Sequence, residues 1–372
     1  MKMKTILKPI LFSGLAIVLA ACCGNGDKAG AASELSARLE ALVADGKIMY
    51  GHQDDLCYGH AWKVEDAQND PLERSDIKDV CGHYPAVLGL ELGELELGGD
   101  KSLDAVPFTL IRRAAVKHHE RGGVVTFSWH ARNPLTGGDA WDISSDQVVA
   151  SILEGGENHA KFQEWLKILA DFFDTLRDAD GNRIPFIFRP WHEHTGSWFW
   201  WGQRLCTTEQ YKALWRMTYD YLEGERGLDN MLWCYSPSMN VDVAGYMERY
   251  PGDDLIDILG VDGYTYFNRE TGLEASCAKF SGELRSTLEY MTSLGKEHGK
   301  IITLSETGLE SIPSPVWWTE VLYPVIKDFP VSYVLTWRNA HDKPEHFYGP
   351  WKGFENEEDF KKFTDFKQIA LI

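Results

Sequence analysis

Eight short apolar runs recur between Lys47 and Thr336, and each is separated from the next by a longer stretch that has room for a helix. The runs are Lys47–Gly51, Ala86–Leu90, Gly123–Trp129, Pro185–Arg189, Met231–Tyr235, Ile256–Val261, Lys300–Leu304 and Val331–Thr336. The windows between them include Phe108–His119, Ala160–Leu176, Thr208–Leu222, Glu283–His298 and Pro315–Asp328, which read as helices. Continuous apolar strands alternating with helices imply a parallel sheet covered on its outside. Eight such units close into a (β/α)8 or TIM barrel of the α/β class, a single domain over residues 34–372. An open doubly wound sheet is the competing topology, but no Gly-rich phosphate loop follows any run. No cofactor is expected.

The N-terminus reads as an address. Lys2, Lys4 and Lys8 precede a short apolar run from Leu11 to Ala21, too short to span a bilayer and suited to a signal peptide over residues 1–21. It ends in Leu19-Ala20-Ala21-Cys22, which is similar to a bacterial lipoprotein box in which Cys22 is lipidated. Plain cleavage near Ala21 is the other reading. Residues 22–33 are Gly/Ala-rich and polar, and read as a flexible tether. The expected location is the bacterial envelope, lipid-anchored, facing periplasm or cell exterior, with the chain working as a monomer.

A formal net charge of −19 and the lack of a basic patch argue against nucleic acid as a partner. Seven Cys are present, with no spacing that suits zinc, so no metal site is expected. Cys57 and Cys81 are left as a possible bridge, and Cys234 reads as a buried thiol. Aromatic residues are abundant, with 14 Trp, 15 Tyr and 17 Phe. Many sit in polar segments such as Trp198-Phe199-Trp200-Trp201 and Trp317-Trp318, and a row of rings at a cleft suits the apolar faces of sugars.

Chemistry in such a barrel gathers at the C-terminal ends of the strands. Those ends here carry His52, Gln53, Asp54 and Asp55; Glu91 and Glu94; Trp129 and His130; Arg189 to His194; Asp262 and Tyr264; Glu306; and Trp337 with Arg338. Glu193 follows the fourth run and Glu306 the seventh, so they face each other across the mouth. Two facing carboxylates are the minimum machinery for cleaving a glycosidic bond, one held protonated and the other ionised.

Arg189-Pro190-Trp191-His192-Glu193-His194-Thr195-Gly196-Ser197-Trp198-Phe199-Trp200-Trp201-Gly202 resembles the acid/base segment of glycoside hydrolase family 26. Ser305-Glu306-Thr307-Gly308 resembles that family's nucleophile segment, and Trp337-Arg338-Asn339 its last-strand segment, so the resemblance runs from about Gly51 to Trp351. It implies a retaining (β/α)8 hydrolase of β-1,4-mannan. Glu193 would be acid/base and Glu306 nucleophile, about 5–5.5 Å apart. His192 would contact the nucleophile and the sugar 2-hydroxyl. Tyr264 would hydrogen-bond the nucleophile, with Tyr266 the alternative if the register slips. Trp337 would lie under the cleaved sugar, Arg338 would bond the next sugar, and Trp198 and His130 would contact sugars near the scissile bond. His194 receives no role, and Thr307 departs from the Phe often found there. Glu91 and Glu94 are left between sugar contacts and solvated carboxylates, and Trp317 and Trp318 between outer subsites and packing. The competing functions are β-1,3-xylan or mixed-linkage β-glucan hydrolysis, a non-catalytic glycan-binding lipoprotein, and a barrel metalloenzyme.

Overall fold

The computed structural model describes residues 30–372. Every apolar run becomes a strand: β1 Ile48–Gln53, β2 Val87–Glu91, β3 Val124–Trp129, β4 Phe186–Pro190, β5 Met231–Tyr235, β6 Ile258–Thr265, β7 Ile301–Leu309 and β8 Val331–Thr336. Each pairs in parallel with the next, and β8 pairs with β1, which closes the barrel. The main helices between them are Phe108–Glu120, His159–Asp174, Thr208–Tyr219 and Leu273–His298.

Alternate side chains on a strand point to opposite faces, and here they sort into two cores. Tyr50, Leu88, Phe186 and Val334 face the outer helices, within one large apolar cluster. Met49, Val87, Ile187 and Leu335, their strand neighbours, belong to a smaller cluster inside the barrel. That inner cluster includes Ala32, Leu35 and Leu39 of an N-terminal helix, Gly30–Ala44. The helix thus plugs the N-terminal end of the barrel, opposite the strand ends that carry the polar residues. Residues 30–33, read from sequence as tether, therefore belong to the fold: Ala32 is fully buried. Cys22, the signal peptide and the rest of the tether lie outside the described residues.

Two further expectations are corrected or resolved. Trp317 and Trp318 are fully buried, the first donating to Thr265 Oγ1 (3.1 Å) and the second packing on Tyr50 and Phe360, so they are core and not sugar subsites. Cys57 and Cys81 are both free thiols.

Candidate active site

Glu306 sits inside β7 and not after it. β6 and β7 run in register up to Val261 opposite Leu304, then slip so that Asp262 faces Glu306. Ser305 is the extra residue of this bulge, and its hydroxyl donates to Asp262 Oδ1 at 2.7 Å. Bulges re-aim side chains beside functional sites. This one turns Glu306 toward the side chains of neighbouring strands. Arg189 at the end of β4 donates from Nη2 to Glu306 Oε1, and from Nη1 to Asp262 Oδ2 at 2.9 Å. Tyr264 donates its hydroxyl to Glu306 Oε2 at 2.6 Å. Both oxygens of Glu306 thus accept from fixed donors, an arrangement that suits a carboxylate. Burial is the main force on Asp262, which rises to about 7 even though Arg189 opposes it.

Glu193 ends the turn after β4. Trp191 and Glu193 both have left-handed backbone, at φ 55° and 53°, conformations that cost non-glycine residues energy and cluster at functional sites. The turn is pinned from outside. Glu193 N–H donates to Ser236 O (2.8 Å), Tyr211 Oη to Trp191 O (2.7 Å) and Trp201 Nε1 to His192 O (2.8 Å). The Glu193 carboxyl accepts from Trp198 Nε1 at 2.7 Å. Burial, and next the charge of Glu306, hold this carboxyl well above its ordinary value. The two carboxyl groups therefore meet unlike surroundings within one cleft.

That cleft has a volume of about 770 Å³ and is lined by Glu193, Glu306, His130, Trp198, Tyr264 and Trp337, with Trp141, Phe199, Tyr266, Phe267 and Tyr348 completing its walls. Of the expected row of four rings, Trp198 is 41% exposed and Phe199 borders the cleft, but Trp200 and Trp201 are fully buried scaffold. Tyr264, and not Tyr266, reaches Glu306; Tyr266 is 74% exposed on the rim. Arg338 lies beside the cleft, paired with Asp104 (3.0 Å) and donating to Tyr58 Oη (3.3 Å). His192 departs from expectation. It is buried, its Nε2 lies 3.1 Å from His130 Nε2, and Arg189 and Tyr264 take the place it was expected to hold on Glu306. His194 is buried between the rings of Tyr211 and Tyr235. Glu91 is neither a sugar contact nor solvated, being buried against β3, while Glu94 pairs with Arg132 at 2.9 Å.

Arg189 and Asp262 were quoted in the sequence motifs but not given roles. A signal existed: an Arg closing an apolar strand buried on both faces must find an anion. Trp141, Phe267 and Tyr348 gave none, because nothing in a loop sequence tells a cleft wall from ordinary surface.

The profile of Glycosyl hydrolase family 26 matches residues 32–302. The chain belongs to glycoside hydrolase family 26. Among solved structures of the family, a beta-mannanase from Bacteroides ovatus superposes with a TM-score of 0.86 at 47% identity, covering 92% of this chain and 94% of that one. A modular endo-beta-1,4-mannanase from Cellulomonas fimi gives 0.80 at 30% identity, over 93% of this chain and 76% of that one. A mannan endo-1,4-beta-mannosidase of Bifidobacterium adolescentis is 29% identical over 352 residues, 90% of this chain. The chain spans only 34% of that protein and 54% of a Bacillus subtilis enzyme of the same name.

Proposed function

We propose that this family 26 chain is a retaining β-1,4-mannanase in which Glu193 is the acid/base and Glu306 the nucleophile. The observation that carries the reading is the unlike environment of the two carboxyls. Glu193 keeps its proton because burial and the neighbouring Glu306 oppose its ionisation. It gives that proton to the departing glycosidic oxygen while Glu306 attacks the anomeric carbon. Glu193, now a carboxylate, then takes a proton from the water that cleaves the glycosyl ester, releasing sugar with its original configuration. Arg189 and Tyr264 hold Glu306 for the attack, and Trp337, Trp198 and His130 contact the sugars, with Arg338 bonding the next one. Cys22 carries a lipid that anchors the enzyme, as a monomer, in the bacterial envelope.

The test is a pair of variants on manno-oligosaccharides and on an aryl β-mannoside with a good leaving group. Glu306→Ala abolishes turnover on both. Glu193→Ala loses the natural substrate but spares the first step on the aryl glycoside, whose leaving group needs no proton. NMR of the first wild-type product shows the β-anomer. An α-anomer, or equal losses on both substrates in Glu193→Ala, removes the assignment. Cello-oligosaccharides of equal length react at least about 100-fold more slowly, since a site bonding the axial 2-hydroxyl leaves polar groups unpaired with the wrong epimer.

A further inference from the structure

Glu91 has no part in the chemistry above, yet it is the most fully bonded carboxylate near the cleft. It is buried at the end of β2. Its Oε1 accepts from Gly93 N (2.6 Å) and His130 N (2.9 Å), and its Oε2 from Ser128 Oγ (2.6 Å) and His130 Nδ1 (2.8 Å). The space is cut to fit. A Cβ on Gly93 would lie 2.9 Å from Glu91 Oε1 and 2.8 Å from His130 O, so a side chain there would force the strands apart. His130 is held on its other sides too. Its ring stacks on Trp141 with centroids 5.3 Å apart, and its Nε2 meets His192 Nε2 edge to face at 3.1 Å.

We propose that Glu91 is a positioning residue for His130, fixing the imidazole with Nδ1–H directed into the barrel wall and Nε2 directed at His192, and thereby setting a rigid wall of the cleft that Glu306 also lines. The inference rests on the hydrolase reading for what that wall serves.

The proton inventory follows from the geometry. Two ring nitrogens 3.1 Å apart need one proton between them. The charged groups around His130 are Glu91 on β2, Arg189 on β4, Glu306 on β7, and Asp104 in the loop after β2. Burial alone would strip His130 of its proton, but Glu91, with Glu306 adding to it, outweighs burial and Arg189 and raises His130 above its ordinary value. His192 is driven the other way, by burial first and then by Arg189 and His130. The shared proton therefore sits on His130, which donates from both nitrogens, and His192 accepts. Burial likewise opposes ionisation of Glu91, yet His130 and its other donors hold it below the usual glutamate value.

Selective 15N-histidine NMR tests this without any turnover, the His130 signal being assigned by its loss in His130→Gln. Wild-type His130 is expected to titrate above the ordinary histidine value of about 6.5, with both ring nitrogens protonated below its midpoint. In Glu91→Gln the midpoint falls by about one unit or more, because the neutral amide removes the anion that retains the proton. A wild-type midpoint at or below about 6.5 overturns the proposal, and so does an unchanged midpoint in Glu91→Gln. The kinetic arm is a double-mutant cycle on mannotetraose. Glu91→Gln lowers kcat/KM roughly tenfold, and the Glu91→Gln/His130→Ala double variant is no worse than His130→Ala alone, as expected if Glu91 acts only through His130. Additive losses overturn it. A protein with the expected titration but no action on mannan would leave the Glu91–His130 pair standing and remove the substrate reading instead.

Discussion

At the scale of single residues, the indole of Trp198 does two things that are separable. Its ring borders the cleft, and its Nε1–H bonds the Glu193 carboxyl. A hydrogen bond to the charged form favours ionisation, so it pulls Glu193 down against the larger upward push of burial and Glu306. Trp198→Phe keeps a ring and deletes the donor. Glu193 then holds its proton to higher pH, and the alkaline limb of kcat/KM on mannotetraose moves up by roughly half a unit to one unit. A limb that stays put, or moves down, argues against Glu193 as the titrating acid. Glu193 was legible as a candidate because it stands in a short segment dense with His and Trp after an apolar run. Glu306 was legible because a carboxylate follows closely on the apolar run that ends at Leu304 and faces Glu193 across an eight-stranded mouth. Their partners were less so. Arg189 and Asp262 read as ordinary charged residues ending apolar runs, and their pairing depends on β4 and β6 lying two strands apart, which only the closed barrel supplies. The role expected of His192 failed for a related reason: adjacency to Glu193 in sequence says nothing about which way its ring turns, and here it turns to His130.

At the scale of elements, all eight strands were legible, and the two that run furthest past their expected ends, β6 and β7, bring Asp262, Tyr264 and Glu306 to the site. The apolar runs stop at Val261 and Leu304, but β6 continues to Thr265 and β7 to Leu309. Asp262 and Glu306 interrupt the apolar pattern from within a strand, since their partners are other buried polar groups and not water. The N-terminal helix Gly30–Ala44 was missed because Gly30, Ala31, Ala32 and Ser33 match a tether in composition; the helix forms because Leu35 and Leu39, four residues apart, share a face over the barrel floor. That role is structural and measurable. Leu39 is fully buried in the inner cluster, so Leu39→Ala is expected to cost about 2–5 kcal/mol in unfolding free energy while leaving kcat on mannotetraose within about twofold. A large loss of kcat with unchanged stability would mean that the floor and the cleft are coupled.

At the scale of the whole molecule, the fold puts the N-terminal helix and the cleft at opposite ends of one barrel. The helix covers the floor beside Met49 and Val87, while Glu193, Glu306 and Trp337 stand at the other ends of the strands. Seven residues separate Cys22 from Gly30, a reach of at most roughly 25–30 Å even fully extended. A lipid on Cys22 would therefore draw the floor toward the bilayer and leave the mouth facing away from it, toward dissolved polysaccharide. Two consequences can be measured together. Cys22→Ala moves the protein from the membrane fraction to the soluble one, and its kcat and KM on mannotetraose match those of the anchored enzyme, because nothing at the floor touches the cleft. Unchanged membrane fractionation in Cys22→Ala would refute the lipid anchor. Release accompanied by a several-fold change in KM on this short substrate would instead refute the orientation, since a mouth facing away from the bilayer admits a tetrasaccharide equally well with or without the membrane beneath it.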